Sequence, residues 1–359
     1  MLVSILRAHG LSVFSNPTGA NLPQGIASAM LASVPLSGRL SHDVAVLEVD
    51  EAYGEQLAKQ LAPHSVLLIN VQVDQLNRFY EPARVTGMLE SFARVATGHL
   101  VINADDHNLV DLAARLAGGL AAQSAFAAAP ELLAAGPAWL ARGDNPALAQ
   151  AAERAHANVV VESLAGRSAV LSIRGEELDI ELPARGLHYA VDAAAAAAMA
   201  AALLGDDLKV ASVASGLKSM DAVYGRGEIV QSRGEDIEMI TMKNPPSLQV
   251  NLDYLDNQLE QIFVAVDEGT PDPSWIYGSD LSRLGHVDVL TGTKAWQLAT
   301  RFAYSEIPVH VVEPDLAPAL RAFLALPAPS VGMKTMIVNY EQMMLIRKQL
   351  GYLELEGTS

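Results

Sequence analysis

Short apolar runs alternate with helical patterns along the chain, and this alternation limits the possible folds more than any other feature. In the first third of the chain the apolar runs are residues 11–14, 44–49, 65–71 and 99–103. Segments with apolar residues at helical spacing lie between them. Strands that are apolar throughout and alternate with helices indicate a parallel sheet covered on both faces. The sequence therefore predicts an α/β fold.

The same alternation returns in the last third of the chain and predicts a second, smaller open sheet. Its predicted strands are residues 237–241, 261–266, 287–290 and 309–312, and a helix over 338–350 closes the chain. Between the two sets lie an alanine-rich stretch at 112–157, an antiparallel meander over 158–182 and an alanine-rich helix at 191–204. We place the join near residue 230 and predict two domains, 1–229 and 230–359.

Composition excludes several classes of function. The chain has 359 residues, 41 acidic against 24 basic ones, and a formal charge of −17, which argues against a binder of nucleic acid. It has no cysteine, which excludes disulfides, thiolate zinc sites and a cysteine nucleophile in these residues. No signal peptide is recognisable, and the longest alanine-rich run is shorter than a membrane span. By elimination we expect a cytoplasmic protein without a transmembrane segment.

Acidic residues follow the second predicted strand directly, in the sequence LEVDEA. These are Glu48, Asp50 and Glu51. In open parallel sheets ligands bind beyond the carboxyl ends of the strands, so acids at this place suit a hydrated Mg²⁺ that bridges nucleotide phosphates. The alternative is that they stabilise the N-terminus of the next helix. The spacing alone leaves both interpretations open.

Polar groups also follow the third and fourth predicted strands. Asp74 and Gln75 come after residues 65–71, and Asn103, Asp105 and Asp106 end the run at 99–103. The carboxyl ends of parallel strands share one edge of a sheet. The sequence therefore predicts one ligand cleft to which three successive strands contribute.

Four further stretches are candidates for ligand binding. The loop NPTGANLPQG at 16–25 can present backbone N–H groups to an anion, or form a turn before a helix. Arg226 in GRGE can reach a phosphate or pair with Glu228, and Lys243 in TMKNPPS can neutralise a phosphoryl group or be solvated. The stretch DEGTPDPSW surrounds Trp275 with acids and also suits a packed turn. No metal-binding HExxH or hydrolase GxSxG motif occurs.

Taken in order, these motifs resemble the Mur ligase family and, within it, the MurT type. The resemblance rests on NPTGAN, LEVDEA, NVQVDQLNRFYE, NADD, the alanine-rich helix, GRGE, KNP, DPSW and VNYEQMMLIRKQL. It implies a central parallel-sheet ATPase domain followed by a smaller Rossmann-like C-terminal domain, with the active site between them. It also implies that ATP phosphorylates the α-carboxylate of D-glutamate in the stem peptide of lipid II. Ammonia from a separate GatD-type glutaminase subunit, the partner in a heterodimer, then displaces phosphate from the acyl phosphate.

The resemblance assigns individual roles in this carbon–nitrogen ligase, with ATP and Mg²⁺ as cofactors. It assigns Mg²⁺ binding to Glu48, nucleotide binding to Asn21, Asp74, Gln75, Asp192, Arg226 and Asn244, and catalysis to Lys243 and Asp272. Asp192 stands before the alanine helix, where the family has an asparagine near the adenine. Asp272 is the candidate for assisting the glutaminase of the partner.

Three departures from the family pattern limit these expectations. The stretch 112–157 has no cysteines for the zinc ribbon of many MurT proteins, so no zinc is expected, and Gly278 replaces a later acid after DPSW. No G-x-x-G-K-[ST] phosphate loop occurs among the 359 residues. We expect Met1 to correspond to a position inside the helix after that loop, and these residues alone to bind ATP weakly.

Two other functions remain open from the sequence. One is a non-catalytic module that docks a glutaminase partner. The other is a different Mur-type amino-acid ligase, such as a relative of folylpolyglutamate synthase, against which the D-Q-L-x-R and D-P-S-W stretches speak.

Overall fold

The fold is taken from a computed structural model, which describes most of the chain. The described residues are 1–17, 19–71, 82–119, 121–135, 157–220, 226–242, 248–249, 251–252, 255, 259–268, 276 and 279–352. They fall into two compact units, which are described separately below. The first comprises described residues within 1–183 and 187–220, and the second those within 184–186 and 226–352. The domain bounds predicted from the sequence stay a prediction.

The first unit is an α/β structure. Its strands are β1 (Val13–Ser15), β2 (Val44–Val46), β3 (Ser65–Leu68), β4 (His99–Asn103), β5 (Ala122–Ala128), β6 (Ala157–Ala165), β7 (Ser168–Ile173) and β8 (Glu176–Glu181). Its helices are α1 (Leu2–Ala8), α2 (Pro23–Ser33), α3 (Gly54–Leu61), α4 (Pro82–Ala93), α5 (His107–Arg115), α6 (Pro130–Ala135), α7 (Leu187–Leu204) and α8 (Val210–Lys218). Strands β1 and β2 form a parallel pair. The other strands form a sheet in the order β3-β4-β5-β6-β7-β8, parallel up to β6 and antiparallel beyond it.

The alanine-rich helix α7 lies in the core of the first unit. It packs against β4, β5 and β6, because alanine side chains allow a helix to approach a sheet closely. Within the described residues, only the segment Leu187–Asp207 is long and apolar enough to cross a membrane, and 72% of its apolar window is buried inside the protein. Such burial is typical of a core helix. The helix begins at Leu187, earlier than the predicted start at residue 191, so the half-buried Asp192 lies inside its second turn and does not precede it.

The second unit is a sheet in the order β13-β12-β11-β14-β10-β9. Its strands are β9 (Arg226–Ser232), β10 (Glu235–Thr241), β11 (Ile262–Ala265), β12 (Val287–Thr291), β13 (Val309–Val312) and β14 (Lys334–Val338), and its helices include α9 (Ala295–Tyr304), α10 (Leu316–Leu324) and α11 (Tyr340–Gln349). Successive residues alternate between two apolar cores, as Phe263 and Val264 do. Both faces of the sheet are therefore covered, as its apolar strands predict.

Three of the described strands were not predicted from the sequence: β5, β14 and the edge strand β9, which begins in the GRGE motif. Strand β5 lies in the alanine-rich stretch and lacks β-branched residues, so it carries no strand signal. Strand β14 lies between β11 and β10, at the centre of the second sheet, although it begins with Lys334. This lysine is fully buried and donates to the Leu326 carbonyl oxygen and to Glu235, each at 2.7 Å. Only these distant partners explain a lysine in a central strand.

Candidate functional site

The loops that follow the paired strands β1 and β2 are joined by one side chain. Asn16 is 8% exposed, and its Nδ2 donates to the carbonyl oxygens of Ala20 at 3.0 Å and Glu48 at 2.9 Å. Its Oδ1 accepts the Glu48 backbone N–H at 3.0 Å. A buried amide that is satisfied in this way fixes both loops, because breaking it leaves polar groups unpaired. We call this set of three hydrogen bonds the Asn16 clamp.

A second contact and a glycine complete the junction between the two loops. The Asp50 N–H donates to the Asn21 carbonyl oxygen at 3.1 Å. A Cβ at Gly25 would lie 2.8 Å from the Ala20 backbone, so only glycine lets α2 lie this close to the loop. The described residues of 16–25 lead into α2, as one of the two sequence interpretations predicts, and the loop is also held against the end of β2; binding of an anion by its backbone stays a prediction.

Two polar side chains near the carboxyl ends of β1 and β2 are accessible to solvent, the exposed Glu48 and the half-buried Asn21. Glu48 is exposed, and its carboxylate forms no hydrogen bond or ion pair with the described residues. The half-exposed Asn21 amide likewise has no hydrogen-bond partner in that part of the chain. A carboxylate and an amide that have no hydrogen-bond partner in the described residues can bind a ligand at the strand ends.

The neighbouring acid Asp50 has a different role. It is 8% exposed, and its Oδ1 accepts the Ala52 N–H at 3.0 Å. This contact stabilises the turn that leads into α3. Of the acids in LEVDEA, Asp50 thus holds the turn before α3 and does not cap the helix, whose N-cap is Tyr53, whereas Glu48 is exposed.

The polar groups after β4 are buried and bind backbone. Asp106 accepts N–H groups from Val71 at 2.6 Å, Asn108 at 2.9 Å and Leu109 at 3.4 Å. Asp105 accepts the Ala128 N–H at 2.7 Å, and Asn103 accepts the Asp105 N–H at 2.9 Å. All three side chains are at most 1% exposed. Asp105 and Asp106 tie the end of β4 to residues that end or follow the neighbouring strands, and all three side chains are too buried to be exposed to a ligand in this structure. The predicted cleft of three strands stays a prediction, because Asp74 and Gln75 lie outside the described residues.

Burial raises the pKa of Asp106 above its ordinary value of 3.8, and its backbone hydrogen bonds oppose this only in part. A raised pKa means that the folded state favours the protonated acid. This contribution to stability is fully present below pH 3.8 and is lost as the pH rises through the folded pKa.

Replacing Asp106 with Asn is expected to lower the free energy of unfolding by about 1–3 kcal/mol at neutral pH, because one amide oxygen cannot serve both sides of the carboxylate. Asparagine does not titrate, so the stability lost in the variant should shrink as the pH rises through the raised pKa. Urea unfolding at a series of pH values measures this. A difference that is constant or grows with pH would contradict the assignment.

The GRGE motif lies at the start of β9 in the second unit. Glu228 forms an ion pair with Arg347 of α11, with the two side chains 14% and 4% exposed. The Arg347 guanidinium also lies 5.2 Å from the ring centre of Tyr352. From the sequence, Arg226 either reaches a phosphate or pairs with Glu228. In the structure Glu228 pairs with Arg347 of α11. The Arg226 side chain lies outside the described residues.

A polar network that the sequence did not predict lies where β11 and β14 end. The Asp267 carboxylate accepts the side-chain amides of Asn339 at 3.0 Å and Gln342 at 3.1 Å. Asn339 also caps α11 by accepting the Gln342 N–H at 3.3 Å. The signal in the sequence was the capping residue at the helix start, which does not identify its distant partner.

Several predicted site residues lie outside the described part of the chain. These are Asp74, Gln75, Lys243, Asn244 and Asp272. Glu48 and Asn21 lie close together through the clamp and the Asp50 contact, and Asp192 lies on α7. The roles of all nine predicted site residues stay predictions.

The donor chemistry at Glu48 fits a hydrated magnesium ion that nucleotide phosphates help to hold. The described residues contain no group of three or more His, Cys, Asp or Glu that could hold a metal, so they form no all-protein cage. Mg²⁺ is usually bound by one or two carboxylates together with water and substrate phosphates. A single exposed carboxylate meets that requirement.

Sequence comparison identifies MurT proteins as relatives. The chain is 24% identical to the MurT subunit of lipid II isoglutaminyl synthase (glutamine-hydrolyzing) from Streptococcus pneumoniae, over 87% of this chain and 75% of that protein. A shorter match, 30% identical over 105 residues, joins 28% of the chain to 22% of the MurT subunit from Staphylococcus aureus. No protein-family model matches the chain.

Structural comparison establishes the fold. A pseudomurein peptide ligase type C from Methanothermus fervidus superposes with a TM-score of 0.71 at 16% identity, over 98% of this chain and 75% of that one. MurF from Thermotoga maritima, solved in complex with ADP, superposes with a TM-score of 0.64 at 15% identity, over 97% and 75% of the two chains. The predicted fold class and the predicted resemblance to MurT-type Mur ligases are thereby confirmed.

Proposed function

We propose that this chain, which has the Mur ligase fold and resembles MurT in sequence, is the ligase subunit of a glutamine-dependent lipid II isoglutaminyl synthase. It uses ATP to activate the α-carboxylate of D-glutamate in the stem peptide as an acyl phosphate. Ammonia then attacks the acyl carbon, the carbon–oxygen bond to phosphate breaks, and an amide and inorganic phosphate are formed. We place this reaction in the cytoplasm.

One observation carries the proposal. The exposed Glu48 carboxylate and the half-buried Asn21 amide have no partner in the described residues and lie near the carboxyl ends of two parallel strands whose loops the Asn16 clamp joins. Side chains placed in advance where charge develops stabilise phosphoryl transfer without reorganising during the reaction. The relatives named MurT and the ADP-bound Mur ligase support the same assignment.

Each proposed residue has a separate task. Glu48 holds Mg²⁺, which neutralises phosphate charge when it is bound. Asn21 orients the nucleotide by hydrogen bonding. Lys243 and Arg226 neutralise charge on the transferred phosphoryl group.

The remaining proposed residues serve the nucleotide and the partner. Asp74, Gln75, Asp192 and Asn244 complete nucleotide binding, and Asp272 assists the glutaminase subunit. The proposal takes the ammonia from that partner, and the absence of a cysteine nucleophile among the 359 residues agrees with a separate glutaminase subunit.

The partner assignment is tested by co-expression. The full gene product that contains these residues, expressed with a GatD-type glutaminase from the same genome, is expected to elute as a heterodimer in size-exclusion chromatography. The glutaminase subunit of an unrelated amidotransferase is the control and should elute separately. Separate elution of the GatD-type subunit would contradict the proposal. A stable complex that never consumes ATP would favour the docking-module function instead.

A further inference from the structure

We propose that Asn16 is a positioning residue that holds Glu48 for metal binding, a role that rests on the proposed function of Glu48. The argument concerns the Asn16 clamp, which lies between the loops after β1 and β2. Nothing in the sequence pattern distinguishes Asn16 from an ordinary turn residue, because its main partner is Glu48, 32 positions away in the sequence.

The clamp acts on the backbone of Glu48 from both sides. Asn16 Oδ1 accepts the Glu48 N–H at 3.0 Å, and Asn16 Nδ2 donates to the Glu48 carbonyl oxygen at 2.9 Å. One amide thus fixes both peptide groups that flank the Glu48 Cα. Their orientation sets the direction in which the Glu48 side chain leaves the chain.

The third hydrogen bond of the clamp links the Glu48 backbone to the loop that carries Asn21, the proposed nucleotide ligand. The second Nδ2 hydrogen is donated to Ala20 at 3.0 Å, and Asn21 follows directly in the sequence. A side chain needs one acceptor and two donors to make all three contacts, and only a carboxamide offers this set at such a length. Asn16 therefore fixes Glu48 and the neighbourhood of Asn21 relative to each other.

Burial of Asn16 keeps the hydrogen bonds of the clamp in place, whereas the Glu48 side chain is accessible to a ligand. Asn16 is 8% exposed, so water cannot readily replace its partners. Glu48 itself is exposed and has no side-chain partner in the described residues. Outer-shell groups that hydrogen-bond metal-ligating side chains typically contribute about 10–100-fold to metal affinity, and we expect the lower end of that range for a group that orients the ligand through its backbone.

A hydrogen-bonded pair at the opposite ends of β1 and β2 provides a control for substitution of Asn16. Ser12 precedes β1 and Asp43 precedes β2, and the Ser12 N–H and hydroxyl donate to Asp43 Oδ2 at 2.8 Å and 2.6 Å. The Asp43 N–H donates back to Ser12 Oγ at 3.0 Å. Ser12→Ala therefore weakens the contact between β1 and β2 without altering the end that carries Glu48.

The test measures binding of Mn²⁺ with ADP from the electron paramagnetic resonance signal of free Mn²⁺, using the full gene product well below its unfolding temperature. Asn16→Ala is expected to weaken binding about 10-fold or more, and Ser12→Ala less than about 2-fold. Hydrogen exchange at the Glu48 amide should accelerate in Asn16→Ala alone. Equal losses of affinity in both variants, or unchanged affinity in Asn16→Ala, would overturn the inference.

A Glu48→Gln variant separates this inference from the proposed function. If Glu48→Gln weakens Mn²⁺ binding and Asn16→Ala does not, the positioning role is wrong and the metal role stands. If Glu48→Gln binds Mn²⁺ as well as the unsubstituted protein does, the metal role is wrong, and the positioning role is overturned with it.

Discussion

Glu48→Gln is expected to lower ATP-dependent turnover by about three orders of magnitude or more. Glutamine keeps the shape of the side chain but removes the negative charge that holds Mg²⁺. Metal stabilisation of a developing phosphoryl charge contributes several kcal/mol, and each 1.4 kcal/mol corresponds to about a tenfold change in rate. The measurement is phosphate release by the full gene product with its glutaminase, glutamine and lipid II.

Glu51→Gln is the matched control for this substitution. Glu51 belongs to the same acidic run, is half-buried, and undergoes the same change of charge. Its variant should stay within about twofold of the unsubstituted enzyme, because Glu51 is not the proposed metal ligand and its substitution leaves the Glu48 carboxylate in place. If Glu48→Gln retains a tenth or more of the activity, Glu48 is not the metal ligand.

Glu228→Ala is expected to lower the free energy of unfolding of the second unit by about 3–5 kcal/mol. The substitution removes the Glu228 carboxylate from the buried pair with the Arg347 guanidinium, which is 4% exposed, and removing one member of such a pair has this typical cost. The same region carries the contact of Tyr352 with Gln231, where the Gln231 N–H donates to the tyrosine hydroxyl at 2.6 Å. Glu228 therefore anchors α11 and the following residues to the edge strand β9.

A second substitution in the same unit distinguishes a buried pair from an exposed one. Glu268 pairs with Lys294 at 2.9 Å, but the Glu268 side chain is 70% exposed. Exposed pairs contribute about 0–1 kcal/mol, so Glu268→Ala should have a small effect. Urea unfolding followed by tryptophan fluorescence compares the two variants. Equal losses of stability would show that the Glu228–Arg347 pair does not anchor the helix.

Much of the fold was predictable because parallel strands buried on both faces are apolar throughout. This signal identified β3, β4 and most strands of the second sheet. It failed for β5, whose alanines have no strand preference, for β14, which starts at Lys334, and for β9, an antiparallel edge strand with polar residues. The burial of Lys334 depends on Glu235 and the Leu326 carbonyl oxygen, and no local pattern identifies those partners.

The sequence places polar groups at the strand ends but does not say which of their side chains are buried and which are exposed. Acids follow β2 and β4 alike, yet Glu48 is exposed while Asp105 and Asp106 bind backbone N–H groups that end or follow other strands. An acid after a strand has the same sequence signature in either case. The difference arises from the loops that surround it, such as the one that Asn16 joins to Glu48.

Transfer of labelled nitrogen tests the central claim most directly. The full gene product, its GatD-type glutaminase, MgATP and lipid II are incubated with glutamine that carries heavy nitrogen in its side-chain amide. The proposed function predicts heavy nitrogen in a new α-carboxamide of the D-glutamate residue, with about one ADP formed per amide and no product without ATP. Absence of the label from lipid II, or attachment of a whole amino acid instead of ammonia, would contradict it.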